Sequence, residues 1–350
     1  MTLVDLLRRF EEFLGVRPVP DGPGPGDPTS STHRSEAVRH RVKLGLRAAI
    51  SIGLLAWVIS GLDLSTVGAV LQRANLWLVP VIFALVIVER LLASLRWYLL
   101  VRSDPRVTYW RITRLLFTTT FAGFFFPGTV GVELLRVYSL GRGISNLALA
   151  FSSVLIERIQ ALTALALLTL VALTSAPPGM PPEIGPTAWI GLAALVLGTA
   201  MLLWQPFRGF SFRLLPGLSL APLREQLAKV YGCLDLYRQQ PGPMAFGLLV
   251  ALAFQILRIL QVVVGAWALG IDTPVQYFFA IMPVIILLTL LPISIAAGLG
   301  VREAAFVHLF GLVGMPADAA FSLSIFVYVI SFAAGLPGAW MYARSGLKLA

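Results

Sequence analysis

The sequence predicts an all-α polytopic integral membrane protein, and three observations predict it. Of 350 residues, 57% are apolar and only 13% are charged, against about 45–50% and about 25% in soluble domains. The mean hydropathy is +0.84. Apolar runs of the roughly 20 residues a spanning helix needs recur along the chain, without the period-two alternation of barrel strands. A soluble enzyme, a disordered chain and a fibrous repeat are excluded.

Residues 2–15 place Leu3, Leu6, Leu7, Phe10, Phe13 and Leu14 on one helical face, with Arg8, Arg9, Glu11 and Glu12 mostly opposite. This is the pattern of a short interfacial helix. A Pro/Gly linker follows at 16–32, so residues 1–36 are expected to form a cytoplasmic tail, amphipathic and then disordered. Residues 37–350 form the membrane domain. Its apolar segments run at 43–62, 77–101, 112–127, 146–174, 187–204, 244–270, 275–293, 304–314 and 319–343, seven to nine hydrophobic segments in all. Residues 205–243 are a polar cytoplasmic loop with a surface helix near 221–238.

Basic residues orient the spans. The chain through Arg47 holds eight Lys/Arg, so the N-terminus is expected in the cytoplasm. The loop 63–76 carries only Arg73 and lies outside; 102–114 carries Arg102, Arg106, Arg111 and Arg114 and lies inside. Residues 136–145 are also basic, so segment 112–127 enters from the cytoplasm and returns without crossing. The C-terminal Arg344 and Lys348 lie inside. Residues 275–318 must then begin and end outside, as a second hairpin, re-entrant or made of one full and one short span.

The two hairpins are expected to enter from opposite faces, and their tips look alike. The first reads Phe126, Pro127, Gly128, then Gly131, Val132, Glu133; the second reads Leu291, Pro292, then Gly298, Gly300, Val301, Arg302, Glu303. Pro breaks a helix and Gly lets the backbone turn. Inverted repeats with broken helices are how many transporters build a site near the bilayer midplane, and the freed backbone groups require a polar cavity around them. Pro127, Gly128, Gly131, Pro292, Gly298 and Gly300 are the expected helix-break positions.

Ten ionisable residues fall in or beside the apolar segments: Glu89, Arg90, Arg96, Glu133, Arg136, Glu157, Arg158, Arg258, Arg302 and Glu303. Each charge at a helix centre costs about 2.5–3.5 kcal/mol on insertion scales, so they must pair, reach the interface or face water. Glu133 and Arg136 are three apart and can meet on one helix face, as can Glu89 and Arg96, two turns apart. Glu89 with Arg90 is a candidate structural pair, and Arg96 a candidate to snorkel to the interface. Glu157 with Arg158, and Arg302 with Glu303, are adjacent, point apart and need partners elsewhere. Six Arg against four Glu leave a surplus suited to an anion, which Arg grips by two-pronged hydrogen bonds. The candidate substrate-binding set is Arg96, Arg136, Arg158, Arg258, Arg302, Glu133, Glu157 and Glu303.

These residues carry a resemblance. Arg96-Trp97, the Phe-Pro-Gly-x-x-Gly-x-Glu-x-x-Arg stretch at 126–136, Glu157-Arg158 within a long span and Gly-x-Gly-x-Arg-Glu at 298–303 together resemble the transmembrane flippase part of lysylphosphatidylglycerol synthases. They are equally similar to its stand-alone relatives, flippase-like or hopanoid-associated membrane proteins. The similarity spans roughly 40–345, and it implies lipid handling across the cytoplasmic membrane. The synthases carry an aminoacyltransferase domain after the membrane part. This chain ends at Ala350, so the expectation is a stand-alone member that does not itself charge a lipid with lysine.

The expected function is that of a flippase or scramblase-like transporter, not an enzyme, for a lipid with an anionic or polyisoprenoid-type headgroup. No cofactor is expected: there is no P-loop, and Cys233, His33, His40 and His308 form no ligand pattern. The formal charge of +10 flanks spans, so nucleic acid is not an expected partner. Two readings compete. One is a non-transporting partner of a lipid or envelope biosynthetic enzyme, docking through the tail and the 205–243 loop. The other is a glycosyltransferase using a polyprenyl-phosphate sugar, for which Asp63 is the only acidic candidate on the first outside loop.

Overall fold

The computed structural model describes residues 64–123, 129–174, 241–289 and 300–345, with isolated positions between 185 and 237. The amphipathic tail, the linker, the first span, Asp63, the surface helix of the 205–243 loop and the hairpin tips with Pro127, Gly128, Pro292 and Gly298 lie outside the described residues, as does most of segment 187–204.

All regular structure among the described residues is helical: α1 Leu64–Gln72, α2 Val79–Val101, α3 Tyr109–Gly123, α4 Thr129–Ile144, α5 Leu147–Thr174, α6 Pro241–Ala268, α7 Val275–Thr289, α8 Val301–Gly311, α9 Ala317–Ala333 and α10 Leu336–Ser345. Among the described residues four stretches are long and apolar enough to cross a membrane: Leu76–Val101, Leu147–Thr174, Pro241–Ala268 and Ala317–Met341. The last is broken between α9 and α10, where Pro337, without an N–H, opens the second helix. Exposed Trp77 and Trp267 mark one end of the bundle, and exposed Trp110 and Trp340 belong to the other, the placing of interfacial aromatic belts.

The expected 63–76 loop contains a helix. In α1 Val67, Val70 and Leu71 fall at helical spacing, and Val67 packs on Phe321 of α9. Nine residues with one apolar stripe fold because α9 covers that stripe.

The two short hairpins are present. Helices of 15 residues (α3) and 16 (α4), then 15 (α7) and 11 (α8), are too short to cross alone, since 15 residues rise only about 22 Å. The open ends of the first hairpin lie side by side: Arg106, just before α3, donates to the carbonyl of Ile144, the last residue of α4. In the second hairpin, Phe278 near the start of α7 meets Phe310 near the end of α8, ring centroids 5.1 Å apart. Gly123 and Val132 close-pack across the neck of the first.

The hairpins open at opposite ends of α2. The first follows directly on the C-terminus of α2. The second begins where α6 ends, and there Asn75, ahead of α2, donates its N–H to Ala268 of α6 at 2.7 Å. The inverted arrangement read from charge and tip sequence is therefore built into the helix packing. Each hairpin has its own core: Trp97, Ile112, Leu116, Leu140 and Ile159 around the first, and Ile259, Phe278, Ile281, Phe306 and Phe310 around the second. Helices α2, α5 and α6 stand between them.

Candidate functional site

A cavity of about 380 Å³ opens between the hairpins. Both contribute: Thr120, Glu133 and Arg136 from the first, Met282, Thr289, Arg302 and Phe306 from the second. The intervening helices add Glu89, Arg90, Arg158 and Arg258, and α9 adds Ser324 and Tyr328. A smaller chamber of about 170 Å³ adjoins it, lined by Arg96, Glu157 and Gln255 and sharing Glu133, Arg136, Arg158 and Arg258.

The first hairpin is tied down by crossed ion pairs. Glu157 of α5 takes Arg96 of α2 on one carboxylate oxygen, at 2.7 Å, and Arg136 of α4 on the other. Arg158 of α5 pairs in return with Glu133 of α4. Thus Glu133 and Arg136, three apart on α4, do not pair with each other; each reaches a residue of α5. The Arg136 guanidinium lies over the Trp97 ring at 4.1 Å, and Trp97 Nε1 donates to Ser153 Oγ at 3.1 Å. Arg96 does not snorkel. It is 4% exposed and bound to Glu157, because the packed helix interface offers it a carboxylate at 2.7 Å.

The second hairpin holds its own charges. Gly300 has φ +85°, a left-handed turn that glycine takes freely. Its N–H donates to Glu303 Oε2 at 2.7 Å, the acidic half of a capping box at the start of α8. The reach back to the cap swings the Glu303 carboxylate toward Arg302, and Arg302 Nη2 binds Oε1. The adjacent pair was expected to point apart; the cap draws it together. Ser324 of α9 completes the set, accepting from Arg302 Nε at 3.0 Å and donating to Glu303 Oε1 at 3.3 Å. Arg302 also lies over the Tyr328 ring at 4.4 Å.

Between the hairpins the pairing is looser. Glu89 of α2 accepts from Gln261 Nε2 at 2.9 Å, and its other oxygen stands 3.9 Å from Arg258 Nε. Glu89 therefore faces α6 and does not meet Arg96. Arg90 meets no carboxylate among the described residues, and its Nε is buried without a hydrogen-bond partner. Arg96 and Arg258 both stand over the Phe254 ring, at 5.4 and 5.8 Å.

Of the candidate binding set, Arg136, Arg158, Arg258, Arg302 and Glu133 line the larger cavity. Arg96 and Glu157 line the smaller chamber, and Glu303 is fully buried behind Arg302. Gly131 lies within the first turn of α4, so helix has already resumed there, whereas Gly300 stands at the break before α8. Sequence reasoning set Arg90 aside as a structural partner of Glu89, and it passed over Gln261, Ser324, Tyr328 and Phe254. Nothing local marks the neutral four; only packing brings them to the charges. Among the described residues no three His, Cys, Asp or Glu side chains gather as metal ligands.

The arrangement is a polar, cation-rich chamber inside a helical bundle, with apolar walls from Val262, Ile285, Ile286 and Val327. It can take an anionic group attached to an apolar body. No curated protein and no solved structure matches the chain. Residues 45–338 match the family described as the lysylphosphatidylglycerol synthase TM region. That match takes in the hairpins and the charged cavity alike, and the chain belongs to this family of membrane domains.

Proposed function

We propose that the protein moves a lipid with an anionic or polyisoprenoid-type headgroup across the cytoplasmic membrane, as a flippase or scramblase, with both termini in the cytoplasm. One observation carries the reading: the arginine-lined cavity lies between two hairpins that open at opposite ends of the bundle. A headgroup entering between them would exchange hydration for guanidinium contacts, while its tail stays against the apolar walls. Arg136, Arg158, Arg258 and Arg302 would hold the headgroup. Glu133, Glu157 and Glu303 would hold those arginines in place.

The test is lipid movement in proteoliposomes. Phosphatidylglycerol and phosphatidylcholine with fluorescent headgroups are loaded separately and quenched from outside. Protein-dependent loss of the inner-leaflet signal for the anionic lipid, absent in Arg302→Ala with normal insertion, supports the reading. Wild-type movement in both Arg136→Ala and Arg302→Ala removes the cavity as the site, and no movement of any lipid tried removes transport.

A further inference from the structure

We infer that the headgroup bound in the cavity is a phosphate monoester carrying two negative charges, and that among the arginines around it Arg90 joins Arg258 as the pair least engaged by carboxylates and so the one that selects the second charge. This deepens the transport reading and rests on it for the identification of the ligand as a lipid.

The inference follows from which cations are already spoken for. Among the described residues, six arginines and four glutamates stand around the two cavities. Glu157 is shared by Arg96 and Arg136, Glu133 is taken by Arg158, and Glu303 by Arg302. Glu89 is held by Gln261 and stands off from Arg258 at 3.9 Å. The unneutralised charge therefore falls on Arg90, which meets no carboxylate, on Arg258, which is loosely paired, and on the Arg96–Arg136 pair, which shares one carboxylate. The surplus is two. A phosphate monoester carries about −1.5 to −2 at neutral pH and three acceptor oxygens, whereas a diester is limited to one charge. Arg90 stands on α2 and Arg258 on α6, two helices packed along each other. A dianion between them removes the repulsion and gives the buried Arg90 Nε an acceptor.

The same contacts disfavour zwitterionic and cationic headgroups. Among the described residues each of the four carboxylates already has a partner, so an ammonium group would have to displace one. Of the aromatic rings that line the larger cavity, Tyr328 is covered by Arg302 and Phe254 by Arg96 and Arg258, and Phe306 alone makes no cage for a quaternary amine.

The dianion also gives the site a pH signature. The charged and titratable groups facing it are Glu89 and Arg90 on α2, Glu133 and Arg136 on α4, Arg158 on α5, Arg258 on α6, Arg302 on α8 and Tyr328 on α9; α3 and α7 contribute neutral residues. Among the described residues no histidine lines the cavity. The second ionisation of the monoester lies at about pH 6, so its second charge is present at pH 7.5 and largely lost at pH 5.5.

The experiment is binding by the purified full chain in a non-ionic detergent, read as ligand-dependent shifts of the thermal midpoint. The probes are dodecyl phosphate, its methyl ester and dodecylphosphocholine, at pH 7.5 and 5.5. The expected result is that the monoester binds about tenfold more tightly than the diester at pH 7.5, and that this advantage shrinks at pH 5.5. Arg90→Gln and Arg258→Gln should each remove most of the advantage, Arg90→Lys should retain part of it, and Arg102→Gln on the exposed loop should leave it whole. Equal binding of monoester and diester, tighter binding of the phosphocholine, or an advantage independent of pH would overturn the inference. The wild-type comparison alone decides it should the variants fail to fold. Phosphatidic acid and farnesyl phosphate, run in parallel, separate the two tails such a headgroup comes on. Monoester binding without movement in proteoliposomes removes transport and leaves the inference; movement without monoester preference does the reverse.

Discussion

Arg96 and Glu157 lie 61 residues apart and meet at 2.7 Å, their side chains only 5% and 7% exposed. The same carboxylate binds Arg136 through its second oxygen, so one glutamate of α5 fastens α2 and α4 together. Removing a partner from a buried pair costs far more than the pair's net worth, because a charge is left buried. Glu157→Gln strands two. Its expected cost is about 3–5 kcal/mol, seen as a lowered midpoint of thermal unfolding in detergent. Arg96→Met combined with Glu157→Gln should recover part of that loss, since only one cation then remains uncompensated.

The four described spans and the arms of the hairpins were legible because each rests on local sequence: long apolar runs, and short apolar segments set off by Arg-rich loops. The charged set was legible too, since ionisable side chains within apolar segments stand out whatever they touch. The pairing was not. Glu133 with Arg136 satisfied a sequence rule, yet α5 offers each of them a partner of opposite sign, and Glu157 lies adjacent to Arg158 while bonding elsewhere. Arg302 with Glu303 broke the rule in the other direction, through a helix cap that spacing alone does not reveal. Helix α1 was missed because nine residues carry a stabilising stripe only when α9 is in place.

Close helix contacts give a second expectation. A Cβ on Gly338 of α10 would press on the backbone carbonyl of Phe117 in α3, which has no rotamer to move. Gly338→Ala should therefore destabilise by about 1–3 kcal/mol. Gly68 in α1 has nothing within 4 Å, so Gly68→Ala should be neutral or stabilise by up to about 1 kcal/mol through helix propensity. Gly247→Ala should fall between the two, because its neighbour is the movable end of Gln160. Thermal midpoints of the three variants in one detergent check the ranking.

On the loop between α2 and α3, Asp104 accepts from Arg106 Nε at 3.0 Å and from Nη2 at 2.8 Å. The Arg106 side-chain hydrogen bonds, with its backbone N–H, hold the Asp104 carboxyl below the usual aspartate range. A depressed folded pKa adds stability that is present above the unfolded value and is lost as pH falls through the folded one. Asp104→Asn should thus lower the thermal midpoint slightly at pH 7, and the gap to the wild type should close on acidification below about pH 4. The effect is small because the Arg106 side chain is half exposed and solvent screens the pair. A gap that widens in acid would reverse the assignment.

The inverted hairpins make the sharpest prediction about topology. In a Cys233→Ser background, single cysteines are placed at exposed positions flanking each hairpin: Thr108 and Ser145 for the first, Gln276 and Ala317 for the second. The open ends of each hairpin adjoin, so the two cysteines of a pair should react from the same side of the membrane. The hairpins open at opposite ends of α2, so the two pairs should react from opposite sides. Positive-inside counting adds the polarity: Thr108→Cys and Ser145→Cys should label only after the cytoplasmic face is exposed, and Gln276→Cys and Ala317→Cys in intact cells with an impermeant maleimide. If Thr108→Cys and Ser145→Cys label from different sides, the chain makes one net crossing between them, and the first arm is not re-entrant. If both pairs react as expected, the arginines of the cavity sit where the arms approach each other, within reach of a headgroup from either leaflet.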